Sequence, residues 1–342
     1  MKLAPALYVA GAAICCAGAL GSLAWRARLP YKGHEASSVT IVIVPGRPAR
    51  AAAARLHEEG IIRSPLVFRL LMRLRGAEES IHAGEYEFTG ALTPDQVLDK
   101  LTRGDVVRHR LTIPEGLRLD EIADAIQAAG FGGRQAFIEA AHRVALIADL
   151  DPEAEDLEGY LFPDTYLFAR GTSEARIVEE MVERFRLELL PERMAKMKTL
   201  GLTLRQTVTL ASLIEEEAQV EEERARIAGV FHNRLRLGMP LQCDPTVVYA
   251  LTRDGRYRGE IYRSDLTYHS PYNTYVTRGL PPGPICGPGA RSLEAALNPA
   301  ATTDLYFVVS GPGHHQFSST RADHEKAVRR YRQERENPGR RR

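Results

Sequence analysis

The pattern of hydrophobic and polar positions is most informative between residues 203 and 218. Thr203 followed three residues later by Gln206 is typical of a helix that begins with a capping box. The hydrophobic positions after it recur at helical spacing: Leu204, Val208, Leu210, Ala211, Leu213 and Ile214. Four polar residues share the remaining side: Arg205, Thr209, Ser212 and Glu216. Because so wide an apolar face is typical of a helix in a protein core, the pattern predicts a mostly buried helix.

Three glutamates, residues 215–217, end this predicted helix. Acids at a helix C-terminus oppose the helix dipole, so three together indicate a reason outside the helix. At about 100° per residue, Glu217 projects among the aliphatic side chains, Glu215 lies on their other flank and Glu216 follows the polar side. A carboxyl group packed against aliphatic side chains has a raised pKa and can act as a general acid. The alternative is that all three are ordinary solvated acids.

The same analysis of the whole chain predicts an α+β protein. Strands are predicted at residues 39–44, 84–88, 107–113 and 305–309. Helices are predicted at residues 47–59, 64–75, 93–101, 119–129, 136–148, 173–189, 191–200, 222–237, 246–251, 292–297 and 321–333. Asp244 is expected to be the N-cap of the helix that follows it, with Pro245 in the first position. Residues 311–319 are expected to form a loop, and residues 157–166 show no clear periodicity.

The N-terminal segment has a different character. Leu3 to Trp25 contains no charged residue and is long enough to cross a hydrocarbon layer of about 30 Å as a helix. Trp25 stands where an interfacial aromatic residue belongs, and Arg26 and Arg28 follow it. A cleaved signal peptide is the alternative, but the apolar run continues past its small residues without a polar cleavage region. A retained membrane anchor is therefore expected.

Composition narrows the classes of function. The 342 residues suffice for two folded domains, and 44% apolar and 26% charged residues are ordinary for a globular protein. The net charge of +1 argues against a nucleic-acid partner, because such domains usually carry a basic excess. Cys243 and Cys286 match no zinc pattern, and the pair His314 and His315 lacks acidic or cysteine partners nearby. Neither a metal nor a cofactor is predicted.

Five segments, in order along the chain, resemble the motifs of the YceG-like family of endolytic murein transglycosylases (MltG). They are LEGYLFPDTY at 157–166, ASLIEEE at 211–217, LQCDPT at 241–246, SPYNTY at 270–275 and GLPPGP at 279–284. The resemblance extends roughly over residues 39–333, and the order of five motifs makes it far more specific than any one of them.

The resemblance implies an architecture. It would consist of an N-terminal transmembrane helix, a LysM-like β/α subdomain and an α-rich, lysozyme-like catalytic domain. On this chain the parts would be an anchor at 1–25, a linker at 26–38, a β/α region with the LysM-like subdomain at 39–156, a catalytic domain at 157–335 and a basic tail at 336–342. The turn at Pro114, Glu115 and Gly116 would fall in the LysM-like part.

The resemblance also implies an activity. The family cleaves nascent peptidoglycan strands internally after N-acetylmuramic acid, leaves 1,6-anhydro ends and so terminates glycan elongation. Matching the motif residue by residue assigns the single catalytic acid to Glu217, with Glu215 as a candidate supporting residue. The candidate substrate-binding residues are Gln242, Asp244, Thr246, Tyr249, Tyr272, Asn273 and Tyr275. Three positions depart from the family pattern: Glu216 replaces a common lysine, Ala218 a hydroxyl residue and Cys243 a threonine.

Location and partners follow from the same resemblance. The chain is expected to cross the cytoplasmic membrane once, with its catalytic part on the extracytoplasmic side. Peptidoglycan strands are the expected substrate, and penicillin-binding synthases in the membrane are the expected partners. Cys243 and Cys286 both lie in cleft motifs, so they are expected to be neighbours, and an oxidising compartment would permit a disulfide between them.

Two other functions fit the same motifs. One is a hydrolytic muramidase that uses water and leaves reducing ends. The other is a non-catalytic wall-binding scaffold built on the LysM-like part, which would tolerate loss of Glu217.

Overall fold

The computed structural model describes Gly18, Gly21, Trp25, residues 28–44, Gly46 and residues 49–336, with side chains as far as residue 334. The expected anchor at 1–25 therefore lies outside the described residues, apart from three isolated positions. Within the part that is described, no helix is both long and apolar enough to cross a membrane. The basic tail beyond residue 336 also lies outside this part.

The chain forms two compact units, and their boundary differs from the expected one. Unit 1 comprises residues 1–110 and 167–171, and unit 2 comprises residues 111–166 and 172–342. Residues 111–156, which the sequence assigned to the β/α region, thus belong with the acidic helix. The reason is local pairing: Gly116 N–H donates to the Gly287 carbonyl oxygen at 2.9 Å, and Leu119 N–H donates to the Glu158 carboxylate at 3.0 Å. The turn at Pro114 to Gly116 is accordingly part of unit 2.

Unit 1 contains two strands, three helices and parts of two further strands. In chain order these are β1 (Ser38–Ile43), α1 (Ala49–Glu58), α2 (Pro65–Leu74), β2 (Gly84–Thr89), α3 (Pro94–Arg103), β3 (Arg108–Thr112) and β4 (Thr165–Ala169). β1 and β2 pair antiparallel, with Ser38 opposite Thr89 and Ile43 opposite Gly84. β3 and β4 form a separate two-stranded sheet, and the chain passes between the units within each of them.

The alternation of inward and outward side chains along β1 and β2 explains the core of unit 1. Ile41 and Ile43 of β1 point to the same side as Tyr86 and Phe88 of β2, and all four are buried. The three helices cover this face with the following buried residues: Ala52, Ala53 and Leu56 of α1, Phe68 and Met72 of α2, and Val97, Leu98 and Leu101 of α3. The predicted helices and strands of this region are confirmed, and most of their ends lie within two residues of the predicted ones.

Unit 2 is mostly helical. Its helices are α4 (Leu119–Ala128), α5 (Arg134–Ala141), α6 (Glu174–Leu187), α7 (Pro191–Leu200), α8 (Leu204–Glu217), α9 (Arg224–Arg236), α10 (Asp244–Arg253), α11 (Ala290–Leu297) and α12 (Arg321–Glu336). A hairpin of β5 (Tyr306–Gly311) and β6 (His314–Ser318) precedes α12. The α+β class is therefore confirmed. β6 lies where a loop was expected, because its residues His-His-Gln-Phe-Ser alternate too weakly to predict a strand.

The acidic helix is α8, at the centre of unit 2. Thr203 is its N-cap, and the predicted capping box with Gln206 is present. α9, α10 and α11 all pack against it, so burial runs around its whole circumference between Thr207 and Ile214. Thr209 and Ser212, on the predicted polar side, are thus buried as well. Ser212 keeps its polar atoms satisfied by donating to the Thr209 carbonyl oxygen at 2.7 Å and accepting from Ile285 N–H at 3.1 Å.

Two of the motif segments and the helix α8 meet at Gly159. This residue has φ +79, in the region that glycine adopts without strain. A Cβ atom there would lie 2.5 Å from Pro284 Cβ and 3.0 Å from Val208 Cγ1. The segment at 157–166 thus packs directly on α8 and on the proline-rich segment at 279–284.

Replacing Gly159 with alanine should destabilise the protein by about 2–5 kcal/mol, because left-handed strain and overpacking add. Gly279→Ala is the matched control, since Gly279 has φ +86 but nothing within 4 Å of a Cβ atom. It should cost only about 1–2 kcal/mol. Denaturant unfolding of the two variants measures both values, and equal losses would show that the contact with Pro284 does not matter.

Candidate active site

Glu217 is the last residue of α8, and its side chain reaches a large cavity. The cavity has a volume of about 800 Å³, within the range of about 300–1,000 Å³ that is usual for ligand sites. Gln242, Asp244 and Tyr275, three of the predicted substrate-binding residues, line the same cavity. The β5–β6 hairpin and α12 supply another part of its lining, including Tyr306, His315, His324 and Arg329.

Burial raises the pKa of Glu217 to about 7. The negative charges of Asp244 and Glu216 raise this pKa further, while the Cys243 thiol and the Arg234 guanidinium oppose the rise. A carboxyl group with a pKa near neutrality can hold a proton and release it at working pH. This agrees with the prediction made from its aliphatic neighbours, although the role of Glu217 itself remains a prediction.

The Cys243 thiol donates a hydrogen bond to the Glu217 carboxylate. Burial raises the pKa of this thiol well above its ordinary value, so it remains a protonated donor. Cys286 is also free; its thiol donates to the Ser212 carbonyl oxygen at 3.5 Å and contacts Glu216. The disulfide that the sequence permitted between Cys243 and Cys286 is therefore not formed. Each thiol instead contacts a different glutamate, Cys243 with Glu217 and Cys286 with Glu216.

Asp244 lies inside its helix and does not cap it. The N-cap position of α10 is Cys243, and the Asp244 carboxylate accepts from the Tyr275 hydroxyl at 2.5 Å. The predicted capping role is thus wrong, because the helix starts one residue earlier than the sequence suggested, which makes Asp244 its first residue. Asn273 holds Tyr275 in place. Its amide oxygen accepts from Tyr275 N–H at 3.0 Å, and its amide nitrogen donates to the Tyr268 carbonyl oxygen at 2.8 Å.

Thr246 and Asn273 lie behind the cavity wall. Both side chains are fully buried, and neither lines any cavity described above. The Thr246 hydroxyl bonds to the Cys243 carbonyl oxygen at 2.6 Å and to the Thr274 hydroxyl at 2.9 Å. Thr274 in turn accepts from Cys243 N–H at 3.0 Å. These residues join the motifs at 241–246 and 270–275 and support the loops there, and their predicted contact with substrate stays a prediction.

Glu216 opens into a second, smaller cavity. This cavity has a volume of about 230 Å³, and its lining includes Arg118, Asp244 and Tyr249. Asp244 lines both cavities, so the two are neighbours. Burial raises the pKa of Glu216 as well, while the Cys286 thiol lowers it.

Tyr249 and Tyr272 pack against each other beside a buried acid. Their ring centroids are 4.8 Å apart, and the Tyr249 hydroxyl donates to Glu158 at 3.4 Å. Burial raises the pKa of Glu158 to about 8, and its carboxylate also accepts from Leu119 N–H at the start of α4. Glu158 was missed by the sequence analysis, since nothing in the motif at 157–166 marks it as buried.

Glu215 is held in an ion pair. Its carboxylate accepts from Arg224 at 2.9 Å and from Gly289 N–H, at the start of α11, also at 2.9 Å. Arg224 further contacts Glu221 and Ser292. Glu215 therefore ties the end of α8 to α9 and α11, which is a positioning role and leaves no free carboxylate for proton transfer.

Arg234 is the main residue that the sequence analysis missed. It is a buried guanidinium on α9 that lines the large cavity. It donates to the carbonyl oxygens of Leu305 at 2.6 Å and Leu241 at 2.7 Å, and it contacts Gln242 at 3.4 Å. Gln242 has φ +51, the one non-glycine residue with positive φ in the described part of the chain. Arg234 thus fixes a strained turn that carries Cys243 and Asp244 to Glu217, yet in sequence it resembles any basic residue near a helix end.

The fold and this geometry define a class of protein. A half-buried glutamate with a pKa near 7 ends a buried helix and faces a polar cavity large enough for sugars. Hydroxyl, amide and aromatic groups surround it. Such an arrangement suits general acid–base catalysis on a polymer with many hydroxyl groups.

The chain belongs to the YceG-like family, whose model matches residues 41–330. It is 35% identical over 318 residues to the endolytic murein transglycosylase of Bacillus subtilis, with 88% of this chain and 87% of that protein covered. It is 29% identical over 329 residues to the endolytic murein transglycosylase of Streptococcus pneumoniae, of which it covers 59%. The crystal structure of a YceG-like protein from Listeria monocytogenes has 32% identity and a TM-score of 0.58, covering 85% of this chain and 98% of the other. The resemblance drawn from the five motifs is thereby confirmed.

The raised pKa of Glu217 should make its charge destabilising at high pH. The folded pKa of about 7 exceeds the ordinary value of 4.5, so the stabilising proton is fully bound below about pH 4.5 and is lost as the pH rises through 7. We therefore compare the free energy of unfolding of Glu217→Gln with that of the native chain at two pH values. The difference should be about 1–3 kcal/mol more favourable to the variant at pH 8 than at pH 4.5. Chemical denaturation at both pH values measures this, and a pH-independent difference would contradict the assigned pKa.

Proposed function

We propose that this protein is an endolytic lytic transglycosylase that cleaves nascent peptidoglycan strands after N-acetylmuramic acid and thereby terminates their elongation. The observation that carries the proposal is Glu217, a single carboxyl group with a pKa near 7 at the edge of an 800 Å³ polar cavity. The names of the relatives in Bacillus and Streptococcus support the same activity.

Glu217 performs both proton transfers in this mechanism. Its protonated carboxyl group donates to the glycosidic oxygen, and the bond between C1 and that oxygen breaks. The sugar's own 6-hydroxyl oxygen then bonds to C1, and its proton returns to the Glu217 carboxylate. The acid is regenerated, no water is consumed, and the new end is a 1,6-anhydro sugar.

The surrounding groups prepare this carboxyl group for both steps. Burial favours the protonated form that the first step needs. The Cys243 thiol and the Arg234 charge stabilise the carboxylate that forms next, so the group can exist in either state. Gln242, Asp244 and Tyr275 offer amide, carboxylate and aromatic contacts to the sugars in the cavity.

Asp244 supports a second candidate, a water-using muramidase. It lines the same cavity as Glu217, and hydrolytic glycosidases use a pair of carboxyl groups. Its carboxylate is engaged by the Tyr275 hydroxyl, which favours a positioning role. Reducing ends in place of anhydro ends would select the muramidase.

The N-terminal parts are assigned by the same proposal. Residues 3–25 would anchor the chain in the cytoplasmic membrane, with both units on the extracytoplasmic side. The order β1-α1-α2-β2 in unit 1, with its antiparallel strand pair, supports a LysM-like subdomain within residues 38–89. Penicillin-binding synthases would be partners in the membrane, where they supply the nascent strands.

The native chain, incubated with uncrosslinked glycan, should yield 1,6-anhydro ends, and Glu217→Gln should abolish cleavage. Glutamine keeps the shape of the side chain but cannot carry the proton, and general acid–base catalysis supplies about 10²–10⁴-fold. Mass spectrometry of the product termini measures both rate and chemistry.

Two neighbouring acids serve as controls for this experiment. Glu216→Gln should leave cleavage nearly intact, because this carboxyl group faces the smaller cavity and its charge is only a lesser contribution to the raised pKa of Glu217. Glu215→Gln should lower activity together with stability, since it weakens the ion pair with Arg224. Turnover that survives in Glu217→Gln but not in Glu215→Gln would move the acid to Glu215 and refute the assignment.

The proposed location predicts the position of the C-terminus. We consider a reporter enzyme that functions only outside the cytoplasm, fused after Arg342. It should be active, because a single anchor at 3–25 would carry both units across the membrane. Alkaline phosphatase is such a reporter. Activity of a cytoplasm-restricted reporter at the same site would contradict this topology.

A further inference from the structure

Helix α2 of unit 1 exposes a row of leucines. Leu66, Leu70 and Leu74 are 72%, 56% and 76% exposed, and their i, i+4, i+8 spacing places them along one side of the helix. The opposite side carries Phe68 and Met72, which are buried in the core of unit 1. Single exposed leucines are common on protein surfaces, but a continuous row along a helix indicates a surface that something covers.

The charged residues that α2 itself places beside this row are both basic. Arg69 and Arg73 lie on the same side of α2, next to the leucines, and both are exposed. The helix, PLVFRLLMRL, contains no acidic residue, although Glu78 beyond its end lies 3.7 Å from Arg73. An apolar face with arginines at its border fits a membrane interface with anionic headgroups.

The connection to the apolar N-terminal segment is short. Tyr31 is fixed to unit 1, because its backbone exchanges hydrogen bonds with Leu92 at 2.9 and 3.2 Å. Trp25, the end of the apolar segment, is only six residues earlier. Six residues span at most about 20 Å, so a segment 3–25 held in a bilayer would keep unit 1 next to the membrane surface.

The attachment point also lies beside the start of α2. The Arg63 guanidinium stacks over the Tyr31 ring at 4.8 Å, and α2 begins two residues later at Pro65. The row of leucines therefore starts where the short connection enters unit 1.

We propose that Leu66, Leu70 and Leu74 dock onto the bilayer that holds residues 3–25, with Arg69 and Arg73 against its anionic headgroups. Unit 1 is then a membrane-seated base with a fixed orientation and not a freely tumbling domain on a linker. This inference rests on the anchor assigned under the proposed function, but not on the catalytic assignment of Glu217.

The test uses the complete chain reconstituted in phosphatidylglycerol-containing vesicles whose lipids carry bromine in the acyl chains. Trp25 is the single tryptophan, so Trp25→Phe provides a background in which Leu70→Trp is the only reporter. Its emission should be quenched and shifted to the blue, because an interfacial helix places its apolar face about 5–10 Å into the headgroup and acyl boundary.

Leu187→Trp in the same background is the matched control. Leu187 is the last residue of α6 in unit 2. It is 69% exposed, which is similar to the exposure of the three leucines of α2. Quenching of Leu70→Trp at least twofold stronger than that of Leu187→Trp supports the proposal. Equal quenching of the two overturns it, and so does a blue shift of Leu70→Trp without quenching, which indicates a protein partner or a second copy of the chain.

The unmodified chain separates a failure of docking from a failure of the anchor. Its own Trp25 should be quenched by the brominated lipids if residues 3–25 insert. Quenching at Trp25 but not at Leu70→Trp overturns the docking alone, whereas no quenching at Trp25 overturns the anchor and the docking with it. None of these measurements involves turnover, so the catalytic proposal is tested separately by the product termini.

Discussion

The structure of unit 2 depends on one constraint, the placement of a carboxyl group at the C-terminal end of a buried helix. Burial, and after it the negative charges of Asp244 and Glu216, disfavour the charge of Glu217, and its pKa rises to about 7 as a result. Such a site is stable only if the helix cannot turn to solvate its acid. α9, α10 and α11 prevent this by packing around α8, and the ion pair of Glu215 with Arg224 fixes its last turn.

The loops around this helix tune the acid from the other side. Arg234 holds the strained turn at Gln242, and Thr274 holds the backbone that follows it. Their combined effect is to bring the Cys243 thiol and the Asp244 carboxylate to Glu217 with opposing influences on its pKa. The proposed role of Glu217, an acid in one step and a base in the next, would benefit from this balance, since neither state is strongly favoured.

Unit 1 shows a different relation between burial and function. Its strand pair and three helices close a core of their own, yet α2 leaves Leu66, Leu70 and Leu74 exposed to solvent. A helix with one face in the core and a second apolar face outward has two surfaces to cover. The docking proposed for that second face would give the short connection at residues 26–30 a mechanical purpose, which is to hold the unit against the surface that covers it.

Local patterns in the sequence were sufficient for the acidic helix, its capping box, most element positions and the membership of the family, because spacing and capping act within a few residues. They also predicted the raised pKa of Glu217. Only the tertiary structure decided the rest. Thr209 and Ser212 are buried by neighbouring helices, Asn273 and Thr246 support loops behind the cavity, and Asp244 bonds to Tyr275 instead of capping. Arg234 and Glu158 matter through contacts with residues 71 and 39 positions away, at Leu305 and Leu119, and no local pattern encodes such contacts.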